Sequence, residues 1–490
     1  MRLPRRPAGR VPGRPGAREV VLGLDAGTSS LKAGLFALSG RPLGLAEAAY
    51  RSLAPEPGAM EQDPRDWWAA LTSVCHQLLD GQHARVVALA VGGQAPTLAP
   101  VDADLAPTHA AITWLDQRPA PVAEQMYASL GLSVPPWGSW PAQIAWFARA
   151  RPDALRRSRW LMGCPDYLAA RLTGEPRLML AWPAAELEAA GVDPRLLPPE
   201  STPGDIVGGL TAGAADATGL APGAPVVAGF VDGIMGVLGS GVRQVGDACV
   251  NSGTSGTFSV VGQPGTGYPV LGLDILGAAA NTSGMALDWF ATHIARQDTA
   301  YEALLAEAAS VPPGAHGLVF LPHLAGERAP ERDPRSRGAW AGLTLGHDRG
   351  DLLRALLEGV AFSLRSLGDW LVQNGAAIGD VRCVGGQARS GLWNQIKADV
   401  LNRPLLVPEV VEAAVSGAAV LSALAVGAYP SRQAAVSAMV RIARQFDPDP
   451  RAAAMYEELY AAYRRLYPAL RETHWRLHDF VARSADPATT

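Results

Sequence analysis

The sequence predicts an α/β protein built from two large, related halves. At 490 residues the chain is too long for one hydrophobic core. Short apolar runs of strand length alternate with helical periodicities through most of it, which is the pattern of α/β architecture. A short phrase also occurs twice. Asp25-Ala26-Gly27-Thr28-Ser29-Ser30 follows Val20-Val21-Leu22-Gly23-Leu24, and Asn251-Ser252-Gly253-Thr254-Ser255-Gly256 follows Ala248-Cys249-Val250, 226 residues later. Composition is that of an ordinary globular protein, 48% hydrophobic and 18% charged.

Residues 1–18 carry six of the 42 basic residues and no acid, and they lack the apolar centre of a secretory signal. They read as a disordered basic leader, with a transit peptide or a nucleic-acid arm as the alternative. Val20–Ala37 reads as a β-hairpin whose turn is the first Gly-Thr-Ser phrase. Asp63 caps a helix with Pro64 at its first position, and Trp67, Trp68, Leu71, Val74 and Leu78 form its apolar stripe. Buried strands come next at Arg85–Val91 and Ala110–Trp114, ending at Gly92-Gly93-Gln94 and Leu115-Asp116-Gln117-Arg118. Polar residues just past strand ends are where α/β proteins place ligand groups.

From Pro119 to Pro203 the pattern is helical, broken by prolines. Ala224–Phe230 is a buried strand running straight into Asp232-Gly233 and a glycine-spaced helix, Ile234–Gly241. Gly262–Arg349 reads as loop-rich, and Asp351–Asn374 as a long helix. The strand Val381–Val384 leads into Gly385-Gly386-Gln387 and the helix Leu392–Leu401. Ala413–Tyr429, dominated by Ala, Gly and Ser, reads as a tightly packed buried helix, and Ala452–Leu477 as a terminal helix. The resulting division is 1–18 leader, 19–243 first half, 244–440 second half and 441–490 helical tail.

Setting the six leader arginines aside leaves 36 basic against 46 acidic residues, a balance of −10 that argues against broad nucleic-acid binding. No stretch is apolar and long enough to cross a membrane. The four cysteines are scattered without a CxxC pair, so zinc is not expected and reduced thiols in a cytoplasm are. His474 and His478 share a helical face, read as exposed and not as a metal site. Lysine occurs twice, at Lys32 and Lys397, and neither follows glycine, so the Gly-Lys of a Walker A loop is missing. A protein-kinase catalytic loop is missing too.

Glycine lets a backbone approach an anion, and Thr and Ser add hydroxyl donors to a turn's amides. Two such hairpins facing one another could grip the phosphates of one nucleotide, although either alone reads as an ordinary Gly-Ser hairpin.

Asp25–Ser30 with Lys32, Trp114-x-Asp116-x-Arg118, Gly229–Gly233 with Asp232, Ser252–Phe258 and Gly385–Arg403 occur in this order over most of the chain. With them comes the run from Leu321-Pro322 through Gly326-Glu327-Arg328 to Gly346. In these motifs the sequence resembles the FGGY carbohydrate kinases, within the actin, hexokinase and Hsp70 (ribonuclease H-like) fold group. The resemblance implies two domains closing over an interdomain cleft, with ATP-dependent phosphorylation of a sugar or polyol hydroxyl.

It also implies roles. Asp232 is the catalytic base, taking the proton of the attacking hydroxyl; a helix N-cap is the alternative. Asp25 holds Mg²⁺, with Asp232 beside it; an Asx-turn acceptor is the alternative. Gly27, Thr28, Ser29 and Ser30 lie near the transferable phosphate with Lys32, which otherwise reads as a solvated strand residue. Gly253, Thr254 and Ser255 contact the phosphates from the second half. Gly385, Gly386, Gln387 and Arg389, with Asn394 and Gln395, form the adenosine site, while Gly417 reads as close helix packing. Gln94, Trp114, Asp116 and Arg118 face the sugar opposite Asp232.

Xylulokinases of the family usually carry Met-His-Gly after the glutamine matching Gln94, where this chain has Ala95-Pro96-Thr97. The Gln-Arg-Glu run of glycerol kinases is not evident either. A ketopentose such as D-xylulose or D-ribulose is the first choice of substrate. A catalytically inactive, sensor-type ATP-binding protein of the same fold is the alternative. A cytoplasmic location and a homodimer are implied by family analogy.

Overall fold

The computed structural model describes residues 18–135, 138–295 and 300–484. The leader expected over residues 1–18 therefore lies outside the described residues, except for Arg18, which opens the first strand. The chain divides into two compact units. One runs to Gly239 and takes back Glu412–Arg441; the other comprises Ser240–Val411 and resumes at Ile442.

The first unit is organised on a six-stranded sheet, in the order Pro42–Ala49, Ser30–Ala37, Arg18–Ala26, Ala84–Gly93, Pro225–Val231, Ile206–Gly209. The first three strands form an antiparallel meander, the next two join Arg18–Ala26 in parallel, and the last is antiparallel. Val20–Leu24 is buried without interruption because both faces of the sheet are covered. Val20, Leu22 and Leu24 share a core with Trp67, Leu71, Val74 and Leu78 of helix Pro64–Leu79, which Asp63 caps as its sequence predicts. Val21, Gly23 and Asp25 alternate onto the opposite face. There the helix Ala413–Ala425 lies so close that a Cβ on Gly23 would meet the Val415 carbonyl at 2.1 Å. Ser422 Oγ donates to the Leu22 carbonyl at 3.2 Å.

The same helix packs against Asp232–Gly239 through bare backbone. A Cβ on Gly239 would stand 1.8 Å from the Ala413 carbonyl, and one on Gly417 would stand 2.1 Å from the Met235 carbonyl. Close packing is thus what Gly417 provides.

The second unit repeats this plan with a seven-stranded sheet, ordered Tyr268–Val270, Leu273–Ala280, Gly256–Gly262, Ala248–Ser252, Val381–Val384, Leu405–Pro408, Ile442–Phe446. Again a meander feeds two parallel additions and an antiparallel edge. The helix Arg349–Gln373, with a capping box between Asp348 and Asp351, supplies much of the core.

Three expectations are corrected. Residues 412–441 belong to the first unit, not to the second half, because the small-residue helix completes the first sheet's uncovered face. The segment after Gly262 is not merely loop: Leu273–Ala280 is the third meander strand, hidden in the sequence by its Gly and Ala. Residues 441–490 are no appendage, since Ile442–Phe446 closes the sheet edge. Tyr456 of helix Pro450–Ser484 is buried, donating to Glu358 at 2.7 Å and receiving Arg354 at 2.8 Å. On that helix His474 is buried and accepts the Arg337 amide at 3.2 Å, so only His478 is exposed.

Candidate active site

In the first unit the parallel strands deliver two carboxylates to one end of the sheet. Asp25 pairs with Gly92, and Val231, immediately before Asp232, pairs with Gly93. The middle strand therefore places no side chain between them. A bulge between Ala228 and Val231 carries Gly229 onto its neighbour; a Cβ there would lie 2.0 Å from the Val91 carbonyl. Bulges next to sites re-aim the chain beyond them, and this one lies just ahead of Asp232.

Both carboxyls titrate above the ordinary carboxylate range. Burial is the first cause for Asp25, then the negative charge of Asp232, with Lys32 pulling the other way. Burial also raises Asp232, opposed by the Gly233 amide that its Oδ1 accepts at 2.6 Å. Asp232 is the first helical residue and bonds the very next amide, so its carboxylate is not consumed as an N-cap reaching two or three residues on. Asp25 Oδ1 is buried and finds no hydrogen-bond partner among the described residues. Lys32 is the cross-strand partner of Asp25 on one side and of Glu47 on the other, so it is not simply a solvated strand residue.

The two Gly-Thr-Ser turns share an inward polarity. In the first, Gly27 O accepts the Tyr50 hydroxyl, Thr28 O the Gln62 amide at 2.6 Å, Ser29 O the Tyr50 amide at 3.1 Å and Ser30 O the Gly27 amide at 3.0 Å. In the second, Gly253 O accepts the Gly284 amide at 2.8 Å, Thr254 O the amides of Ser283 and Met285 at 3.0 and 3.1 Å, and Ser255 O that of Gly253 at 3.1 Å. With every carbonyl of both turns held by a protein donor, the polarity left for a ligand is that of amides and hydroxyls, as in anion-binding backbone nests. Thr28 Oγ1 accepts the Trp114 indole at 3.0 Å, which leaves the threonine's own proton to donate. The second turn is one residue tighter: Ser252 pairs with Gly256, whereas Ala26 pairs with Leu31.

Of the expected sugar residues, Gln94 is buried, donates to Gln62 at 2.8 Å and keeps an unpartnered Oε1. Asp116 and Arg118 are tied to each other. Their ion pair spans 2.6 Å, and the guanidinium also holds Glu61 at 2.7 Å and Glu56, under the Trp146 ring at 4.4 Å. Burial alone would lower the Arg118 pKa, but the hydrogen-bonded carboxylates outweigh it and raise it.

In the second unit, Gly385 has φ +85°, and a Cβ there would sit 2.8 Å from both Asn251 Oδ1 and the Ser252 carbonyl. It is glycine because two strand ends meet. Gln387 donates inward to Ser283 Oγ at 2.7 Å, Asn394 is fully buried and donates to the Ala388 carbonyl at 2.7 Å, and Gln395 donates to Asp399 at 2.8 Å. These bonds hold the Gly386–Arg389 turn and its helix. Ser252 Oγ, Thr282 Oγ1, Gln387 Oε1 and Asn394 Oδ1 are buried without partners among the described residues.

Tyr50, Gln62 and Ser283 escape the sequence reading. Their partners lie tens to about a hundred residues away, and no local pattern marks them.

Comparison with known proteins decides the family. Residues 20–239 match the N-terminal domain, and residues 252–426 the C-terminal domain, of the FGGY family of carbohydrate kinases. The chain belongs to the FGGY family of carbohydrate kinases. It is similar to a xylulose kinase of Bacillus subtilis (strain 168), 26% identical with 94% of this chain and 99% of that one covered. It is also similar to a gluconokinase of the same organism, 27% identical over 94% and 98%. Among solved structures, a xylulose kinase from Rhodospirillum rubrum aligns with a TM-score of 0.79 at 30% identity, covering 93% of this chain and 99% of that one. The FGGY chain is accordingly a phosphotransferase with an alcohol group as acceptor, and its fold is the two-domain actin/hexokinase-like one. Among the described residues, no helix is long and apolar enough to cross a membrane.

Proposed function

We propose that this FGGY chain transfers the terminal phosphoryl group of ATP to a hydroxyl of a small sugar, with a ketopentose such as D-xylulose or D-ribulose as first choice, and that Asp232 is the general base. The observation that carries this reading is the pair of buried carboxylates at the strand ends, one of them with an unpartnered oxygen. A sugar hydroxyl is a weak nucleophile at neutral pH. A carboxylate in hydrogen-bond reach orients it and accepts its proton as attack proceeds. Burial raises the Asp232 pKa and so makes it a stronger base than an exposed aspartate.

The orphaned Asp25 Oδ1 and the neighbouring Asp232 suit a divalent cation, since Mg²⁺ takes one or two carboxylates and completes its shell with water and phosphate oxygens. Magnesium held at Asp25, with Asp232 beside it, would supply neutralisation of phosphate charge. The amides and hydroxyls of the first turn, with Lys32, would orient the transferable phosphate. Thr254 and Ser255 would hold phosphate on the second unit, with the Gly385-Gly386 backbone beside them for the nucleoside. Phosphoryl transfer is mostly positioning and electrostatics, which these groups can supply. The xylulose kinase relatives support the ketopentose. Four free, buried cysteines support a reducing, cytoplasmic setting.

The test is a coupled ADP-release assay over pentuloses, hexuloses, polyols and aldonates with wild type and Asp232→Asn. Turnover should fall by about 10²–10⁴-fold in the variant, the range of general-base catalysis, while ATP binding persists. Residual activity above about 10% of wild type would remove Asp232 from the role.

A further inference from the structure

In the second unit, the loop after the strand Val319–Leu321 sends one buried carboxylate toward the Gly253–Ser255 turn. Glu327 is 4% exposed. Its Oε1 accepts the amides of Arg328 at 2.7 Å and Asn281 at 3.1 Å, and its Oε2 lies 3.4 Å from His323 Nε2. Its backbone exchanges two bonds of 3.0 Å with that of Asp333. The Asp333 carboxylate in turn accepts the Tyr467 hydroxyl at 2.9 Å and the Trp475 indole at 2.8 Å, both on helix Pro450–Ser484. The loop is thereby anchored to the core of its own unit. Burial pushes the Glu327 carboxyl up to about 7, against the pull of the two amides. Burial also lowers His323 to about 4, so its imidazole is neutral at physiological pH.

Asn281 is the first residue past the strand Leu273–Ala280. Its side-chain Nδ2 donates to the Ala325 carbonyl at 2.9 Å, a second strap to the same loop. Two residues on, the chain enters the helix Gly284–His293, and the first amides there are spent on the turn. Ser283 and Met285 donate to the Thr254 carbonyl and Gly284 to that of Gly253. A Cβ on Gly284 would stand 2.7 Å from the Gly253 carbonyl, so helix start and turn meet backbone to backbone. Links of this kind pass a displacement on, where a long side chain would absorb it. Thr254 itself is exposed. With its carbonyl held from below, its amide and hydroxyl are the groups left to face an anion.

We propose that Glu327 is a positioning residue for the phosphates of the nucleotide. It fixes Asn281, and through Ser283–Met285 it keeps the Gly253 and Thr254 carbonyls turned inward and the donors of the turn turned out. The proposal rests on the reading of this turn as a phosphate site.

Calorimetry on the full chain with two probes, ADP and adenosine, decides it. Glu327→Ala removes the acceptor. Its Kd for ADP should rise about tenfold, the size of one lost hydrogen bond to a charged group, while its Kd for adenosine stays within about twofold. Glu327→Gln keeps a carbonyl oxygen for both amides and turns its NH₂ toward His323 Nε2, which accepts it once the neutral imidazole carries its proton on Nδ1. That variant should bind ADP within about twofold of wild type. Amide hydrogen exchange should quicken in Glu327→Ala at Ser283–Met285 and not in the strand Ala248–Ser252. Glu327→Asp keeps the charge and withdraws it by one methylene; it should weaken ADP in the same direction and decides the matter if the alanine variant does not fold.

A folded Glu327→Ala protein that binds ADP as wild type does, or that loses adenosine equally, would overturn the proposal. So would a glutamine variant as impaired as the alanine one. Thr254→Val separates the two readings. If it weakens ADP and Glu327→Ala does not, the phosphate site stands and the positioning role falls; if neither weakens ADP, both fall.

Discussion

Gly417→Ala tests how the fold holds the Asp232 carboxylate. The added methyl would stand 2.1 Å from the Met235 carbonyl and 3.2 Å from the Gly239 amide. Carbon–oxygen contacts that short do not persist, so the helix carrying Asp232 must retreat by about 1 Å, and both partners are backbone that no rotamer change can clear. Overpacking of this kind costs about 1–3 kcal/mol and more when backbone must move, while alanine in a helix returns about 1 kcal/mol over glycine. The net is a loss of about 2 kcal/mol, which at 2–4 °C per kcal/mol is roughly 4–8 °C in the melting of the first unit.

Catalysis should suffer more than stability, because about 1 Å of misplacement at a reacting group can cost about 10²-fold. Circular-dichroism melts and kcat at saturating substrate read the two effects. Gly213→Ala, in helix Ala212–Thr218 where a Cβ meets nothing within 4 Å, is the control and should melt at or above wild type. A Gly417→Ala protein with wild-type melting and wild-type kcat would show that the helix seam does not position Asp232.

As the proposed base, Asp232 must be ionised to accept a proton, and its pKa is raised, so the acid limb of kcat/KM should lie above the ordinary carboxylate value of about 4; a limb at or below pH 4 would contradict the proposal. Asp25 and Asp232 both bind a proton more tightly folded than unfolded. Their contribution therefore favours the fold at low pH and is lost as pH rises from the ordinary value through the raised ones. The melting temperature of Asp232→Asn should accordingly gain on wild type between pH 5 and 8 without metal, and a constant gap would refute the linkage. Arg118→Leu strands the buried carboxylates of Asp116 and Glu61 and should destabilise by about 3–5 kcal/mol at neutral pH. Denaturant titrations of the variant and wild type would measure that loss, and a variant as stable as wild type would refute the reasoning.

Legibility in the sequence tracks locality. The twin turns, the strand into Asp232 and the capped helix at Asp63 are readable because their determinants lie within a few residues: Gly at the turn, continuous apolar runs, a cap before proline. Leu273–Ala280 escapes because Gly and Ala carry no strand preference, and only pairing with Gly256–Gly262 makes it one. The helix Ala413–Ala425 reads correctly as buried and is misplaced by unit, since small residues announce a close neighbour without saying which. Asp116 and Arg118 read as polar groups past a strand end, and their ion pair with each other and with Glu61 is not visible in that spacing. Tyr50 and Gln62 hold the first turn across 23 and 34 positions, and nothing adjacent to them in the chain records it.

The helix that covers the first sheet is encoded far downstream of it, and Ser422 meets Leu22 across 400 positions. On a ribosome adding about 5–20 residues per second, the underside of that sheet waits some 20–80 s for its lid to emerge. The nascent amino-terminal half therefore carries an open apolar surface through most of its synthesis, a natural client for a holding chaperone, and release of a chain truncated before residue 412 should yield aggregate rather than a smaller native protein.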